Sequence, residues 1–162
     1  MTESVDVAVV GAGAAGVGVG VALSMLDLDI RILEREQVGA SFRNWPDEMR
    51  FITPSFPSNS FGLTDLNAIT PDTSPAFTLD REHPSGDEYA NYLEAVVEYH
   101  ELPVETGIEV EAIQPLADAD AASEAESPAA AVDGGVSVET GGVSVENGEG
   151  FLLETSDGPL AA

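Results

Sequence analysis

The 162-residue chain contains no cysteine and no lysine. Without cysteine it can form no disulfide, no thiolate metal site and no cysteine nucleophile. Only five basic residues, all arginine, stand against 30 acidic ones, so the formal net charge is −25 at pH 7. Such a charge repels the phosphates of nucleic acids and anionic membrane surfaces. We therefore expect neither nucleic acid nor a membrane as a partner.

The acidic excess does not make the chain a disordered polymer, because 43% of its residues are hydrophobic. Its length suits one domain with a real core. Acid excess, absence of lysine and an ordinary apolar fraction resemble proteins of halophilic archaea, in which salt screens self-repulsion. An acidic protein from a low-salt organism is the alternative. We expect a cytoplasmic location.

The stretch "VAVVGAGAAGVGVGVA", residues 7–22, is compatible with a membrane span, a glycine-rich core helix, or a strand and turn. Residues 7–26 form an uncharged run that is long enough to span a membrane. Acidic residues flank this run on both sides, however, and no basic residue precedes Arg31. Its five glycines also make a poor helix. These features disfavour both a membrane span and a signal peptide.

A strand, a turn and a helix explain more of the same residues. Residues 5–10 form a short β-branched run, and Gly11, Gly13 and Gly16 then give the pattern G-x-G-x-x-G before a helix-length stretch that ends at Leu26. Residues 30–34 form a second short strand that ends in Glu34. This order predicts the βαβ unit of a dinucleotide-binding α/β fold with a parallel sheet.

Each glycine of the pattern has a distinct predicted role. Gly11 permits the tight turn, Gly13 lets the backbone approach a diphosphate, and Gly16 lets the helix pack on the sheet. The diphosphate would accept hydrogen bonds from free N–H groups at the positive end of the helix dipole. Glu34 would accept hydrogen bonds from the adenosine ribose, although neighbouring Arg35 weakens discrimination against a 2′-phosphate. Spacing alone does not separate FAD from NAD, and a coincidental glutamate after a glycine-rich core helix is the remaining alternative.

Three segments, "VVGAGAAGVGVGVAL", "ILERE" and "VGASFRNWPDEMRFITPSFPSNSFG", resemble the FAD domain of flavoprotein pyridine-nucleotide oxidoreductases. The nearest branch contains proteins like flavin-containing monooxygenases and bacillithiol disulfide reductases, and the resemblance covers residues 5–115 and 151–158. It implies a Rossmann-like FAD/NAD(P)-binding parallel sheet with a small antiparallel β flap, incomplete at the C-terminus. It also implies FAD as the cofactor of this chain, and NAD(P)H as a second cofactor of the complete enzyme.

The resemblance also implies a set of cofactor-binding residues. The glycine turn would contact the FAD diphosphate through Gly11, Ala12, Gly13, Ala14, Ala15 and Gly16. Glu34 would hold the adenosine ribose, with Arg35 beside the adenine and the backbone of Val110 near it. The flavin would be lined by Arg43, Asn44 and Trp45, although Trp45 fits a core position equally well. No residue has the setting of a catalytic acid, base or nucleophile, and no metal site is predicted.

Residues 36–84 are predicted to be an ordered loop excursion, because aromatic residues are scattered through a proline-rich stretch. These aromatic residues are Phe51, Phe56, Phe61 and Phe77. Ser85 and Glu88 then have the spacing of a capping box at the start of a helix. The apolar face of that helix, which we expect to face the core, comprises Tyr89, Tyr92, Leu93, Val96 and Val97. His83 and His100 are expected to be structural, and residues 102–115 are predicted as a third parallel strand.

The last part of the chain has a different composition. Residues 117–135 are small and acidic, which predicts a flexible loop. The near-repeat "GGVSVET" and "GGVSVEN", residues 134–147, predicts a hairpin, to which residues 151–155 would add a third strand. The expected organisation is thus a FAD-binding βαβ core over residues 1–116, the acidic loop, and an antiparallel flap over residues 136–158. A duplication that only lengthens a surface loop is the alternative for the repeat.

The expected function is that of the N-terminal FAD-binding portion of an NAD(P)H-dependent flavoprotein oxidoreductase. In the complete enzyme, hydride would pass from NAD(P)H to the flavin and then to an acceptor that the sequence does not identify. The glycine pattern occurs once, so the remaining parts are expected in a longer protein or on a separate completing chain. The alternatives are a non-catalytic module that binds NAD or another adenosine nucleotide, and a truncated remnant without function.

Overall fold

The computed structural model describes residues 2–56, 65–116 and 150–162. In chain order the elements are β1 (Glu3–Ser4), β2 (Val7–Val10), α1 (Ala14–Leu23), β3 (Ile30–Glu34), α2 (Ala40–Arg43), α3 (Pro75–Leu79), α4 (Gly86–Tyr99), β4 (Val104–Thr106), β5 (Val110–Pro115), β6 (Phe151–Thr155) and β7 (Gly158–Ala161). They form two compact units, one of Val7–Ile108 and one of Met1–Asp6 with Glu109–Ala162. The predicted acidic loop and the hairpin of the near-repeat lie outside the described residues, and the predicted domain limits stay predictions.

The unit Val7–Ile108 contains a three-stranded parallel sheet in the order β2-β3-β4. The strand, glycine turn, helix and strand predicted from the glycine pattern are confirmed, with α1 ending three residues before the predicted Leu26. Val7 pairs with Ile30 in this sheet, so β2 and β3 run side by side and both end near the glycine turn. The α/β fold class is therefore confirmed. No helix in the described part of the chain is long and apolar enough to cross a membrane.

Helix α4 begins at the predicted capping box. The Glu88 backbone N–H donates to Ser85 Oγ (3.1 Å), and the Ser85 N–H donates to Glu88 Oε2 (2.8 Å). Tyr89, Tyr92, Leu93 and Val96 on α4 are buried in one core cluster with residues of α1 and β3, as the helical spacing predicts, and Val97 is partly buried against it. Because burial disfavours a phenolate, the pKa of both tyrosines is raised above its ordinary value.

The loop excursion is attached to α4 by polar contacts. The Tyr89 hydroxyl donates to the Asn67 carbonyl (2.7 Å), and the Tyr92 hydroxyl accepts from the Ile69 N–H (2.9 Å). The buried Asp65 carboxylate accepts from the Asn67 N–H (3.0 Å) and from Ser74 Oγ (2.8 Å). These bonds satisfy buried polar groups that would otherwise be costly.

Aromatic packing contributes less to this loop than the sequence predicts. Phe51 packs on Tyr89 with ring centroids 4.4 Å apart. Phe56 and Phe77, in contrast, are largely exposed, so the expectation of packing is wrong for these two. Phe61 lies outside the described residues.

The unit of Met1–Asp6 with Glu109–Ala162 contains a four-stranded sheet in the order β1-β7-β6-β5. Strands β5, β6 and β7 pair antiparallel, and β1 pairs parallel with β7. The expectation of one parallel strand over residues 102–115 is wrong. Gly107, with φ +78°, separates β4 of the parallel sheet from β5 of the antiparallel one. An antiparallel β6 is confirmed, whereas β7 was not predicted.

Candidate functional site

The glycine turn connects β2 to α1 within the unit Val7–Ile108. Gly11 has φ +95°, a conformation that favours glycine, and its N–H donates to the Leu33 carbonyl at 2.8 Å. Ala12 follows and is fully buried. Gly13 is the N-cap of α1, whose first residues are Ala14 and Ala15. The turn thus brings the start of α1 beside the end of the parallel sheet.

The three glycines of the pattern face different surroundings. A Cβ on Gly16 would lie 1.8 Å from the Gly11 carbonyl oxygen, so the packing of α1 on the turn requires glycine there. Gly13 differs from Gly11, because any residue can adopt its φ of −80°. It differs from Gly16 in its surroundings. The nearest atom to a Cβ on Gly13 would be Ser41 Oγ, 4.0 Å away. Neither the backbone nor the packing of the described residues requires glycine at position 13, and the space beside its Cα is open.

The N-terminal tip of α1 is the positive end of that helix. Gly13 is the N-cap residue, and no side chain in the described part of the chain caps α1 there. The first turn of α1 contains no acidic residue. The first N–H groups of a helix lack partners within the helix, and the helix dipole makes this end positive. In a chain with a net charge of −25, backbone N–H groups therefore provide positive potential where basic side chains are scarce.

Glu34 ends β3 and reaches the glycine turn. Its Oε2 accepts from the Ala12 N–H at 2.7 Å, and its Oε1 accepts from the Glu36 N–H at 2.8 Å. Each carboxylate oxygen has a second lone pair, so this carboxylate can still accept hydrogen bonds from ligand hydroxyls. The exposed Arg35 guanidinium lies 3.5 Å from Glu36 Oε1. Its predicted position beside an adenine stays a prediction.

The segment that begins at Gly39 contacts the glycine turn directly. The Gly39 N–H donates to the Ala12 carbonyl at 3.0 Å. Gly39 has φ +70°, and a Cβ there would lie 2.8 Å from the Ala90 Cβ on α4. Glycine at position 39 therefore lets this segment pass between the turn and α4.

The predicted flavin-lining residues follow this segment, and two of them contact other parts of the protein. The Arg43 guanidinium lies 2.6 Å from Glu94 Oε1 and donates to Asn91 Oδ1 at 3.1 Å, both on α4. These partners of Arg43 were not predicted, although Asn91 and Glu94 are three residues apart and thus share one face of a helix. Asn44 is exposed at the C-terminal end of α2.

Trp45 belongs to an aromatic cluster. Its ring centroid lies 5.3 Å from that of Phe42 and 5.2 Å from that of Phe51. This packing gives Trp45 a structural role, and a flavin contact of Arg43, Asn44 or Trp45 stays a prediction. Val110 belongs to the other unit, and its contact with an adenine also stays a prediction.

The family comparison agrees with this geometry. The model of a family described as "Pyridine nucleotide-disulphide oxidoreductase" matches residues 8–123, which include most of β2 and all of the glycine turn, α1 and β3. The chain belongs to this family. The chain contains no cysteine, so these 162 residues cannot themselves form a redox disulfide.

Solved structures with the same fold are longer than this chain. One is bacillithiol disulfide reductase from Staphylococcus aureus, with a TM-score of 0.62 and 18% identity over 99% of this chain and 35% of that one. Another is a flavin-containing monooxygenase from Stenotrophomonas maltophilia, with a TM-score of 0.62 and 20% identity over 99% and 37% of the two chains. A third is a steroid monooxygenase bound to NADP, with a TM-score of 0.59 and 16% identity over 98% and 25%. At these identities the likeness shows the fold, and the chain spans between a quarter and two fifths of these proteins.

Proposed function

We propose that this chain is the FAD-binding part of an NAD(P)H-dependent flavoprotein oxidoreductase. The observation that carries the proposal is the open space at Gly13, where an added Cβ would lie no closer than 4.0 Å to another atom. A glycine that the fold does not need is expected where a ligand backs onto the main chain. The family assignment supports a pyridine-nucleotide oxidoreductase, and two of the similar structures are monooxygenases, one of them a flavin-containing one.

The residues at this site suit the two ends of an adenosine diphosphate group. The free N–H groups of Ala14 and Ala15 would donate to the diphosphate at the positive end of α1. The diphosphate would pass over the Cα of Gly13, where a side chain would stand in its way. Glu34, whose carboxylate lies 2.7 Å from the Ala12 N–H, would accept hydrogen bonds from the ribose hydroxyls.

Bound FAD would supply the redox chemistry, by accepting a hydride and passing its electrons to an acceptor. The chain's own residues bind and orient the cofactor. The hydrogen bond between Gly39 and Ala12, and the ion pair of Arg43 with Glu94, fix the segment that leads to the proposed flavin-lining residues. We propose no catalytic side chain in this chain, and the acceptor would be determined by the rest of the longer protein.

The working environment is part of the proposal. We infer a cytoplasmic protein that works at high salt; the net charge of −25 and the absence of lysine support the high-salt environment. Salt would screen the repulsion between surface carboxylates. Binding experiments on this chain therefore belong in molar KCl.

The test is a binding series on the purified 162-residue chain. We expect FAD and ADP to bind, since both contain an adenosine diphosphate, and FMN to bind far more weakly. Isothermal titration calorimetry gives the Kd values, and retention of flavin colour after desalting gives a second readout. NAD binding tighter than FAD binding would favour the alternative of a nucleotide-binding module. Failure of both FAD and ADP to bind would refute the proposed site.

Gly13→Ala separates binding from folding. Its methyl group would enter the open space at the helix tip, so we expect the Kd for FAD to rise at least about tenfold, or 1.4 kcal/mol. Thermal stability should not fall, because φ at Gly13 is ordinary and the nearest atom is 4.0 Å away. Gly18→Ala is the matched control: it adds a methyl group to the same helix at a position away from the helix tip, where the nearest atom would be Ile69 Cγ2 at 3.2 Å. Unchanged FAD affinity in Gly13→Ala would contradict the assignment.

A further inference from the structure

A cleft in the unit Val7–Ile108 lies between α3 and the C-terminal half of α4. Its volume is about 350 Å³, within the range of small-molecule sites. The buried side chains of Tyr92 and Val96 line it. None of the glycine-turn residues lines this cleft, so it is separate from the proposed dinucleotide site.

Two aromatic rings border the cleft, one from each helix. Phe77 of α3 is 75% exposed and Tyr99 of α4 is 70% exposed, although both line the cleft. Aromatic rings left open to solvent on both sides of a concavity offer apolar contact area. Their faces also attract cations through the ring quadrupole.

The charge of the cleft is negative. Asp72 lines it with a half-exposed carboxylate, and no arginine is among its lining residues. His100 Nε2 lies 3.7 Å from Asp72 Oδ2, so a protonated His100 would compete with a bound cation for this carboxylate.

We propose that this cleft binds a small organic cation that carries an apolar group. The ammonium group would lie beside Asp72, and the apolar group would lie between Phe77 and Tyr99. The hydroxyls of Thr73 and Tyr92 are already bonded to each other at 2.6 Å. Asp72 is the charged side chain that lines the cleft, so it would be the main partner of the ligand's ammonium group. This proposal does not depend on FAD binding.

The probe is phenethylammonium, compared with its neutral analogue phenethyl alcohol and the anion phenylacetate. Each is titrated into the ¹⁵N-labelled chain at pH 8. We expect saturable shifts at α3 and the end of α4, with the cation bound at least about threefold more tightly than the alcohol. Phenylacetate should bind most weakly. Equal affinities for all three probes, or shifts that do not cluster around the cleft, would overturn the proposal.

Two variants and one control assign the contacts. Asp72→Asn should raise the Kd for phenethylammonium by up to about fivefold, the range of an exposed ion pair, and leave the Kd for the alcohol unchanged. Phe77→Ala should weaken both probes. Glu98→Gln removes the same charge from an exposed position on α4 that does not line the cleft, and should leave the affinity unchanged. Equal effects of Asp72→Asn and Glu98→Gln would show a general field effect and refute a site at Asp72.

Discussion

Gly16→Ala is the substitution for which the structure gives the sharpest stability prediction. The added Cβ would lie 1.8 Å from the Gly11 carbonyl oxygen and 3.0 Å from its carbonyl carbon. Both atoms belong to the backbone of the glycine turn, so no side-chain rotation relieves the contact. Helix α1 must instead move from the turn by more than roughly 1 Å before the contact becomes tolerable.

The expected cost follows from two opposing effects. Forced overpacking costs about 1–3 kcal/mol, and a contact between backbone atoms belongs at the upper end of that range. Replacing glycine by alanine within a helix favours the helix by about 1 kcal/mol. The net loss for Gly16→Ala is therefore about 2 kcal/mol. With a urea m-value of about 2 kcal/mol/M, the unfolding midpoint should fall by about 1 M.

The assay is urea unfolding in molar KCl, followed by circular dichroism and by the fluorescence of Trp45. Trp45 is the only tryptophan and packs in the aromatic cluster of the same unit. Gly18→Ala, whose nearest contact would be a side-chain methyl at 3.2 Å and not a backbone atom at 1.8 Å, should lower the unfolding midpoint less than Gly16→Ala does. An unchanged midpoint for Gly16→Ala would refute the packing of α1 on the glycine turn.

The remaining predictions concern α4 and the surface charge. Tyr92→Phe should lower the free energy of unfolding by about 1 kcal/mol, because it leaves the partly buried Ile69 N–H without its acceptor, while Tyr99→Phe, at an exposed position, should leave it unchanged. Ser85→Ala should lower the free energy of unfolding by about 1 kcal/mol, because the helix cap is lost. An unchanged free energy of unfolding would contradict the capping box. The hydrogen bond from the Ser85 N–H and the Arg81 guanidinium lower the pKa of Glu88, so the stability that Glu88 contributes is present above its ordinary pKa and lost as the pH falls through the lowered one. Glu88→Gln should thus destabilise the chain near pH 7 and lose this effect in acid, and a difference independent of pH would contradict the linkage. Raising KCl from 0.1 to 2 M should raise the melting temperature, since the screening length falls from about 10 Å to about 3 Å or less; a melt independent of salt would refute the role of self-repulsion.

Elements with a local pattern were predictable from the sequence. The β2-α1-β3 unit has a β-branched strand, a glycine turn and an acid at a fixed distance, and each feature acts within about 30 residues. The start of α4 is determined by Ser85 and Glu88, which bond to each other's backbone. The strand β3 agrees with its predicted limits, residues 30–34. In each case neighbours along the chain supply the interaction.

Elements that depend on distant partners were not predictable in the same way. The loop excursion was expected to pack through phenylalanines. Its described contacts to α4 instead include two hydrogen bonds: the Tyr89 hydroxyl donates to the Asn67 carbonyl, and the Tyr92 hydroxyl accepts from the Ile69 N–H. A tyrosine on an apolar helix face predicts burial, but it does not identify which distant backbone group meets its hydroxyl. Similarly, residues 102–115 alternate like one strand, and only the positive φ of Gly107 shows where the chain leaves one sheet for another.

The glycine pattern combines requirements of the fold with a requirement that the fold does not explain. Gly11 is needed for its φ of +95° and Gly16 for its contact with Gly11, so both would be retained in a protein that binds nothing. Gly13 meets neither requirement in the described chain. It therefore carries the information about a ligand that the motif as a whole cannot carry. A diphosphate held by N–H groups at this position needs no basic side chain, which is compatible with a chain that has five arginines and 30 carboxylates.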